Sequence, residues 1–234
     1  MKKYQLFIVP YAGGNADAFT VLGKYMPEEV ELVCLDYAGH GTRRTEDYYP
    51  TFDDMVKDMA GQINATLNPE LETVIFGYSM GSVVAYEMLA HQLIHADVKQ
   101  VFLAAHEAPG ELWDCEDYVK LNDLEFAHKL MALGGFDRFE DRFLKNRYFR
   151  KVFFEPIRED YRLLADYSLK HGNVLDMDAV FFFAPQDIPR EHMMKWKKWF
   201  LREPQFVEIG RNHFFIKEVP EELAGKIVGA LDLF

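Results

Sequence analysis

Six short apolar runs punctuate the chain, at Gln5–Val9, Glu31–Leu35, Thr73–Phe76, Gln100–Ala104, Val180–Phe183 and Phe206–Ile209. They are rich in β-branched and aromatic residues, and several show no alternation with polar positions. Strands buried on both faces of a sheet have this pattern. Between them the apolar positions recur at helical spacing. Thr51 is placed to cap a helix, with Asp54 in its first turn and apolar residues at Met55, Met59 and Ile63. Further helices are expected from Met80 to about Gln92, after Pro189 with Met193, Met194, Trp196, Trp199 and Phe200, and from Pro220, a good first-turn residue. Alternation of strand and helix predicts an α/β fold, a mainly parallel sheet with helices on both faces. From about Pro109 to Asn173 the rhythm breaks. Only helical patterns rich in charge and aromatics occur there, so a helical insertion capping one end of the sheet is expected.

A chain of 234 residues suits one domain, residues 1–234, with that insertion at about 109–173. No linker, repeat or low-complexity segment divides it. The formal net charge of −12 disfavours nonspecific attraction to nucleic acid or to an anionic membrane. The start, M-K-K-Y-Q-L-F-I-V-P-Y, reads as a first strand rather than a signal peptide, and no stretch has the length of a membrane span. Cys34 and Cys115 have neither metal-ligand spacing nor the look of a disulfide framework. A reducing cytoplasm is the expected location.

Candidate chemistry begins at residues 77–81, G-Y-S-M-G, which follow the run T-V-I-F and precede the helical run S-V-V-A-Y-E-M-L. Strand, tight turn and helix are the setting of the nucleophile elbow of α/β-hydrolases. The turn strains its central residue so that Ser79 projects from the sheet edge. Gly77 and Gly81 let strand and helix pack closely around it. The Met80 N–H, at the helix N-terminus, is placed to stabilise an oxyanion. Ser82, beyond the elbow, reads as a small packing residue.

A serine hydroxyl needs a neighbouring base to become a good nucleophile. In this fold the chain order is Ser, then Asp or Glu, then His. His213, in G-R-N-H-F-F-I after the last strand, is the expected base. Asp187, in A-P-Q-D-I-P after the strand Val180–Phe183, is the expected acid. Asp176 and Asp178 precede that strand and would start at its far end. A second oxyanion donor belongs in the loop after the first strand. There P-Y-A-G-G at 10–14 offers the Ala12 N–H.

These pieces together resemble the type II thioesterases that accompany nonribosomal peptide and polyketide synthases. The likeness runs along almost the whole chain. It includes F-I-V-P-Y-A-G-G, G-Y-S-M-G-S-V-V-A-Y-E, L-N-D-L-E-F-A-H-K-L-M-A-L-G-G, P-I-R-E-D-Y-R-L-L-A-D-Y, P-Q-D and N-H-F-F-I. The resemblance implies an α/β-hydrolase fold with a helical lid. It implies Ser79 as nucleophile, Asp187 as acid, His213 as base, and oxyanion donors at Ala12 and Met80. It implies an acyl substrate carried on the phosphopantetheine arm of a carrier protein domain, with no metal and no cofactor of the enzyme's own. The family usually has His where this chain has Tyr78, and a Pro-Gly-Arg-Gly-like stretch where it reads A-G-H-G at 38–41.

The insertion's aromatics, Trp113, Phe126, Phe136, Phe139, Phe143, Tyr148, Phe149, Phe153 and Phe154, are candidates either for an acyl tunnel or for packing of the insertion itself. Arg142, Lys145, Arg147, Arg150 and Lys151 form a basic cluster in an acidic protein, either a solvated helix face or a docking patch for an acidic carrier. A carboxylesterase or fatty-acyl-carrier thioesterase would share the same chemistry. A noncatalytic carrier-binding module would not need Ser79, Asp187 and His213 together.

Overall fold

The computed structural model describes residues 1–111, 115–134, 143, 145–169 and 172–231. Six strands, β1 (Tyr4–Val9), β2 (Val30–Cys34), β3 (Glu72–Tyr78), β4 (Val98–Ala104), β5 (Asp178–Phe183) and β6 (Gln205–Glu208), form one sheet in the order β2-β1-β3-β4-β5-β6. Every neighbouring pair is parallel. All the strands therefore end at the same edge, where the loops after β1, β3, β4, β5 and β6 meet.

The unbroken apolar runs have a plain cause. Successive side chains of a strand point to opposite faces, and here both faces are covered. Phe7, Val9, Ile75, Val101, Leu103, Phe181 and Phe183 enter one core layer, with residues of helices Phe52–Thr66 and Met80–Ala90. Leu6, Ile8, Val74, Phe76, Phe102, Val180 and Phe182 enter the other, with Phe19, Leu22 and residues of helix Pro220–Ala230. Full burial of such a side chain is worth about 1.5–3 kcal/mol, so the central strands fix the scaffold. Helix Phe52–Thr66 starts as its sequence predicts: the Thr51 hydroxyl accepts the Asp54 N–H at 3.1 Å. Helix Met80–Ala90 buries every residue except Leu89. It stops two positions before Gln92, which has φ 55°.

Some elements differ from expectation. β3 continues two residues past Phe76, carrying the strand directly into the elbow. Two short helical turns, Ala16–Phe19 and Thr20–Gly23, fill the segment between β1 and β2. The helix expected after Pro189 is a single α-turn, Arg190–Met193, followed by a 3-10 run, Met194–Trp199. Trp196 and Trp199 stand three apart, the 3-10 period, and both pack against Tyr86, with ring centroids 5.7 and 5.8 Å away.

Between β4 and β5 the described residues are helical and contain no strand. Helices Cys115–Lys120 and Asp123–Ala132 precede a continuous run from Arg147 to Asp166, whose stretch Arg150–Phe154 is a π-helix. Asn122 and Glu125 form a capping box at the start of the second helix. The segment has a small core of its own: Tyr118, Phe126, Ala127, Leu130, Phe154 and Ile157. Phe126 and Phe154 are therefore packing residues and Phe149 is half-buried against them, while Phe143, Tyr148 and Phe153 are exposed. Trp113, Phe136, Phe139 and Arg142 lie outside the described residues. No helix among the described residues is long and apolar enough to cross a membrane.

Candidate active site

Ser79 sits between β3 and helix Met80–Ala90 with φ 51° and ψ −120°, a conformation that side-chain-bearing residues rarely adopt. Its surroundings enforce it. A Cβ on Gly77 would lie 2.4 Å from the Gly81 carbonyl oxygen, and one on Gly81 only 2.0 Å from the Val9 carbonyl oxygen. Neither glycine can carry a side chain while helix, β3 and β1 stay this close. The Ser79 N–H donates to the Ala104 carbonyl at 2.7 Å, tying the turn to β4. Ser82 does more than fill space. Its buried hydroxyl accepts the Ala104 N–H at 3.0 Å and lies 2.9 Å from both the Gly77 and Ala104 carbonyls. One proton serves those two acceptors, and the result is a polar staple between elbow and β4.

The other expected residues arrive from two later loops. Asp187 lies in a turn after β5, where its N–H donates to the Ala184 carbonyl at 3.0 Å. His213 lies after β6, beyond Gly210 with φ 64°. Asp187 Oδ2 is 2.8 Å from His213 Nδ1, and His213 Nε2 is 3.0 Å from Ser79 Oγ. A carboxylate only accepts, so Nδ1 carries the hydrogen and Nε2 presents its lone pair to the serine hydroxyl. The His213 and Asp187 side chains are only 14% and 10% exposed, which keeps water from weakening this chain of bonds. Ser79, Asp187 and His213, far apart in sequence, thus meet at one sheet edge.

The two expected amide donors are placed differently from their neighbours. In the loop after β1, the Gly13 N–H donates to Asp160, the Gly14 N–H to the Tyr11 carbonyl and the Ala16 N–H to Asp36. The Ala12 N–H is outside this set. Because the Tyr11 carbonyl points at Gly14 across a trans peptide, the Ala12 N–H of the same plane points the opposite way, out of the turn. Met80 is the first residue of its helix, where N–H groups have no acceptor in the preceding turn.

Two nearby groups carry no signal in the sequence pattern. Tyr78 is fully buried, and its hydroxyl donates to the His213 carbonyl at 2.7 Å while accepting the Ile216 N–H at 3.3 Å. Burial pushes its ionisation well above the ordinary tyrosine range, so it stays a donor. It pins the loop that carries His213. Tyr78→Phe should strand that carbonyl, at a cost of about 1–3 kcal/mol. If about half of this falls on the transition state, kcat drops about two- to tenfold with little change in KM; steady-state kinetics on a short acyl thioester would check it. His106, on the loop after β4, is the second group. Desolvation outweighs its bond to the Glu107 carbonyl and pushes its pKa down to about 4, so a neutral imidazole stands near His213 and Asp187.

Beside the loop after β1 lies a cavity of about 970 Å³, lined among others by Ala12, Gly13, His40, Tyr48, Phe153 and Phe214. The described residues hold no group of three His, Cys, Asp or Glu side chains that could bind a metal.

An all-parallel sheet with a strained serine elbow after its third strand, and with an aspartate and a histidine delivered by the last two strand ends, defines an α/β-hydrolase. Residues 4–231 match the thioesterase domain family, and the chain belongs to it. Among curated relatives, the gramicidin S biosynthesis protein GrsT of Aneurinibacillus migulanus is 24% identical over 225 residues, covering 94% of this chain and 86% of its own. Thioesterase TesA of Mycobacterium marinum is 27% identical over 239 residues, covering 98% and 92%. Among solved structures, ClbQ from the colibactin NRPS/PKS pathway superposes with a TM-score of 0.85 at 24% identity, over 99% of this chain and 98% of that one. The type II thioesterase BorB from the borrelidin biosynthetic cluster gives 0.84 at 20% identity, over 98% and 93%. These two structural likenesses carry the fold.

Proposed function

We propose that this chain is a type II thioesterase that hydrolyses acyl groups from the phosphopantetheine arm of a synthase carrier protein, through an acyl-enzyme formed on Ser79. The observation that carries the chemistry is the continuous path from Asp187 to His213 to Ser79, at 2.8 and 3.0 Å. The biosynthetic relatives, GrsT among them, support the carrier-bound substrate. His213 Nε2 takes the Ser79 proton as Oγ attacks the thioester carbonyl. Asp187 holds the imidazole in the required tautomer and stabilises the cation that forms. The Ala12 and Met80 N–H groups receive the oxyanion. Collapse of the tetrahedral intermediate breaks the C–S bond, and His213 returns the proton to the departing thiol. Water then enters, gives a proton to His213 and attacks the acyl-serine, releasing the acid and restoring Ser79. No cofactor of the enzyme's own takes part.

The helical segment between β4 and β5 is read as a lid that also meets the carrier. Arg150 is exposed and paired with Asp123 at 2.9 Å; Lys145, Arg147 and Lys151 are the other exposed basic residues of the described cluster. Beside them are the exposed aromatics Phe143, Tyr148 and Phe153. On a protein of net charge −12, such a patch suits an acidic partner by local complementarity. The test is a panel of one acyl group presented on a carrier protein, on a short cysteamine thioester and as an oxygen ester. The carrier-bound substrate should give the highest kcat/KM. The combined Lys145→Glu, Arg147→Glu and Lys151→Glu variant should lose about tenfold or more on it, and nothing on the short thioester. Preference for the oxygen ester would make the chain a carboxylesterase. Equal loss on both thioesters would remove the docking role.

A further inference from the structure

The loop bearing Ala12 is gripped from outside by a buried ion pair that the hydrolytic steps do not use. Asp160 lies on helix Glu155–Asp166 and His40 in the loop after β2; their side chains are 2% and 3% exposed. Asp160 Oδ2 accepts the Gly13 N–H at 2.6 Å and lies 3.0 Å from His40 Nε2. His40 Nδ1 faces the Ala38 carbonyl at 3.0 Å. A carbonyl only accepts, so Nδ1 carries a hydrogen. The carboxylate beside Nε2 favours a hydrogen there too, which makes the ring an imidazolium. The contact is a close ion pair without the alignment of a hydrogen bond. Burial works to lower the His40 pKa, but the Asp160 charge, the Ala38 carbonyl and the Asp36 charge outweigh it and hold it above its ordinary value. The other groups that face His40 are the rings of Tyr37 and Tyr48, 5.7 and 6.3 Å away. Both hydroxyls are pushed up by burial and stay neutral.

The grip acts on a defined turn. The Gly14 N–H bonds the Tyr11 carbonyl at 2.7 Å, and Gly13, third of the four residues, has φ +74°. That is the signature of a type II turn. In it the central peptide points the Gly13 N–H at Asp160. Flipping that peptide would set the Ala12 carbonyl against the carboxylate instead. Ile157, one turn earlier on the same helix, closes over the glycine: a Cβ there would lie 2.2 Å from Ile157 Cγ1. On the near side, the Tyr37 hydroxyl bonds the Pro10 carbonyl at 2.7 Å.

We propose that Asp160 and His40 are positioning residues for the oxyanion loop: by holding the Gly13 N–H, the ion-paired carboxylate anchors the turn as a body, and so fixes where its outward-pointing Ala12 N–H stands relative to the reacting carbonyl. This rests on Ala12 serving as an oxyanion donor in the function proposed above. The sequence departure at 38–41 acquires a consequence. A histidine stands where the family usually carries an arginine, so here the countercharge can be titrated. His40 is raised in the folded state, so its charge is fully present below about pH 6.5 and is lost as pH rises through its elevated value. Above that value Asp160 is left as a buried charge without its partner, and the grip weakens.

The test is kcat against pH on a short acyl thioester, with the Ser79→Ala protein as background and circular dichroism as the check on folding. Wild type should lose kcat on the alkaline side with KM nearly constant. His40→Arg, which keeps its charge at all these pH values, should retain neutral activity and flatten the alkaline limb. His40→Gln should hold the wild type's alkaline value across neutral and alkaline pH. Asp160→Asn should lower kcat about tenfold, less than the 100-fold or more typical of removing an oxyanion donor. A failure of Asp160→Asn to fold leaves the two His40 profiles to decide. An alkaline limb unchanged in His40→Arg, or an unchanged kcat in a folded Asp160→Asn, overturns the proposal while an inactive Ser79→Ala leaves the proposed function standing. Activity in Ser79→Ala overturns both.

Discussion

Ser79→Ala is expected to abolish hydrolysis of acyl-carrier thioesters, with kcat falling by on the order of 10⁶, while the protein stays folded. The first half follows from the chemistry. Among the described residues, no other hydroxyl hydrogen-bonds His213 Nε2, and the imidazole without Ser79 Oγ has only water to activate. The second half follows from the packing. The elbow is held by the Ser79 N–H to the Ala104 carbonyl, by the Ser82 hydroxyl and by the close approach of Gly81 to Val9. None of these contacts uses Oγ. Alanine must still adopt φ 51°, which the native serine already tolerates at similar cost. Single-turnover hydrolysis, labelling by a fluorophosphonate and a thermal melt would check the three parts. Retained turnover would refute Ser79 as the nucleophile.

Asp187→Asn is expected to lower kcat by about 10⁴-fold. The replacement keeps the shape of the side chain and changes the proton pattern. Asp187 Oδ2 now accepts from Nδ1, which leaves Nε2 as the base. An asparagine amide can donate to Nδ1 instead. The hydrogen then moves to Nε2, which faces the serine hydroxyl at 3.0 Å and can no longer accept its proton. If Ser79, His213 and Asp187 act as one unit, as proposed, Ser79→Ala combined with Asp187→Asn should be hardly worse than Ser79→Ala alone. Additive losses in kcat would mean that Asp187 works independently of the serine.

The scaffold was legible where it depends on local periodicity. β1, β3, β4 and β5 are buried on both faces, and their apolar runs show it directly. The elbow was legible because two glycines at fixed spacing are a steric necessity, seen in the 2.0 and 2.4 Å approaches. The expectation for Asp187 and His213 came from the chain order usual in this fold and from their place in loops after late strands. Side-chain contacts across the fold were not legible. Tyr78 reaching the carbonyl of His213, Ser82 stapling the elbow to β4, and His40 meeting Asp160 join residues with no periodic relation. Tyr78 and the A-G-H-G stretch stood out only as departures from a family pattern, which marked the positions without giving their partners. The short turns between β1 and β2 escaped because four-residue elements carry too little pattern.

The long helical segment leaves the sheet after β4 and rejoins it at β5, which is the adjacent strand. Its two ends are therefore neighbours in space, and it has a small core of its own. Lengthening, shortening or exchanging it need not alter the pairing of any strand. Such an arrangement lets selection remodel this segment while the sheet and the residues gathered at its edge are inherited unchanged. The stretch from Ile157 to Asp160, which touches Gly13, is where that freedom ends.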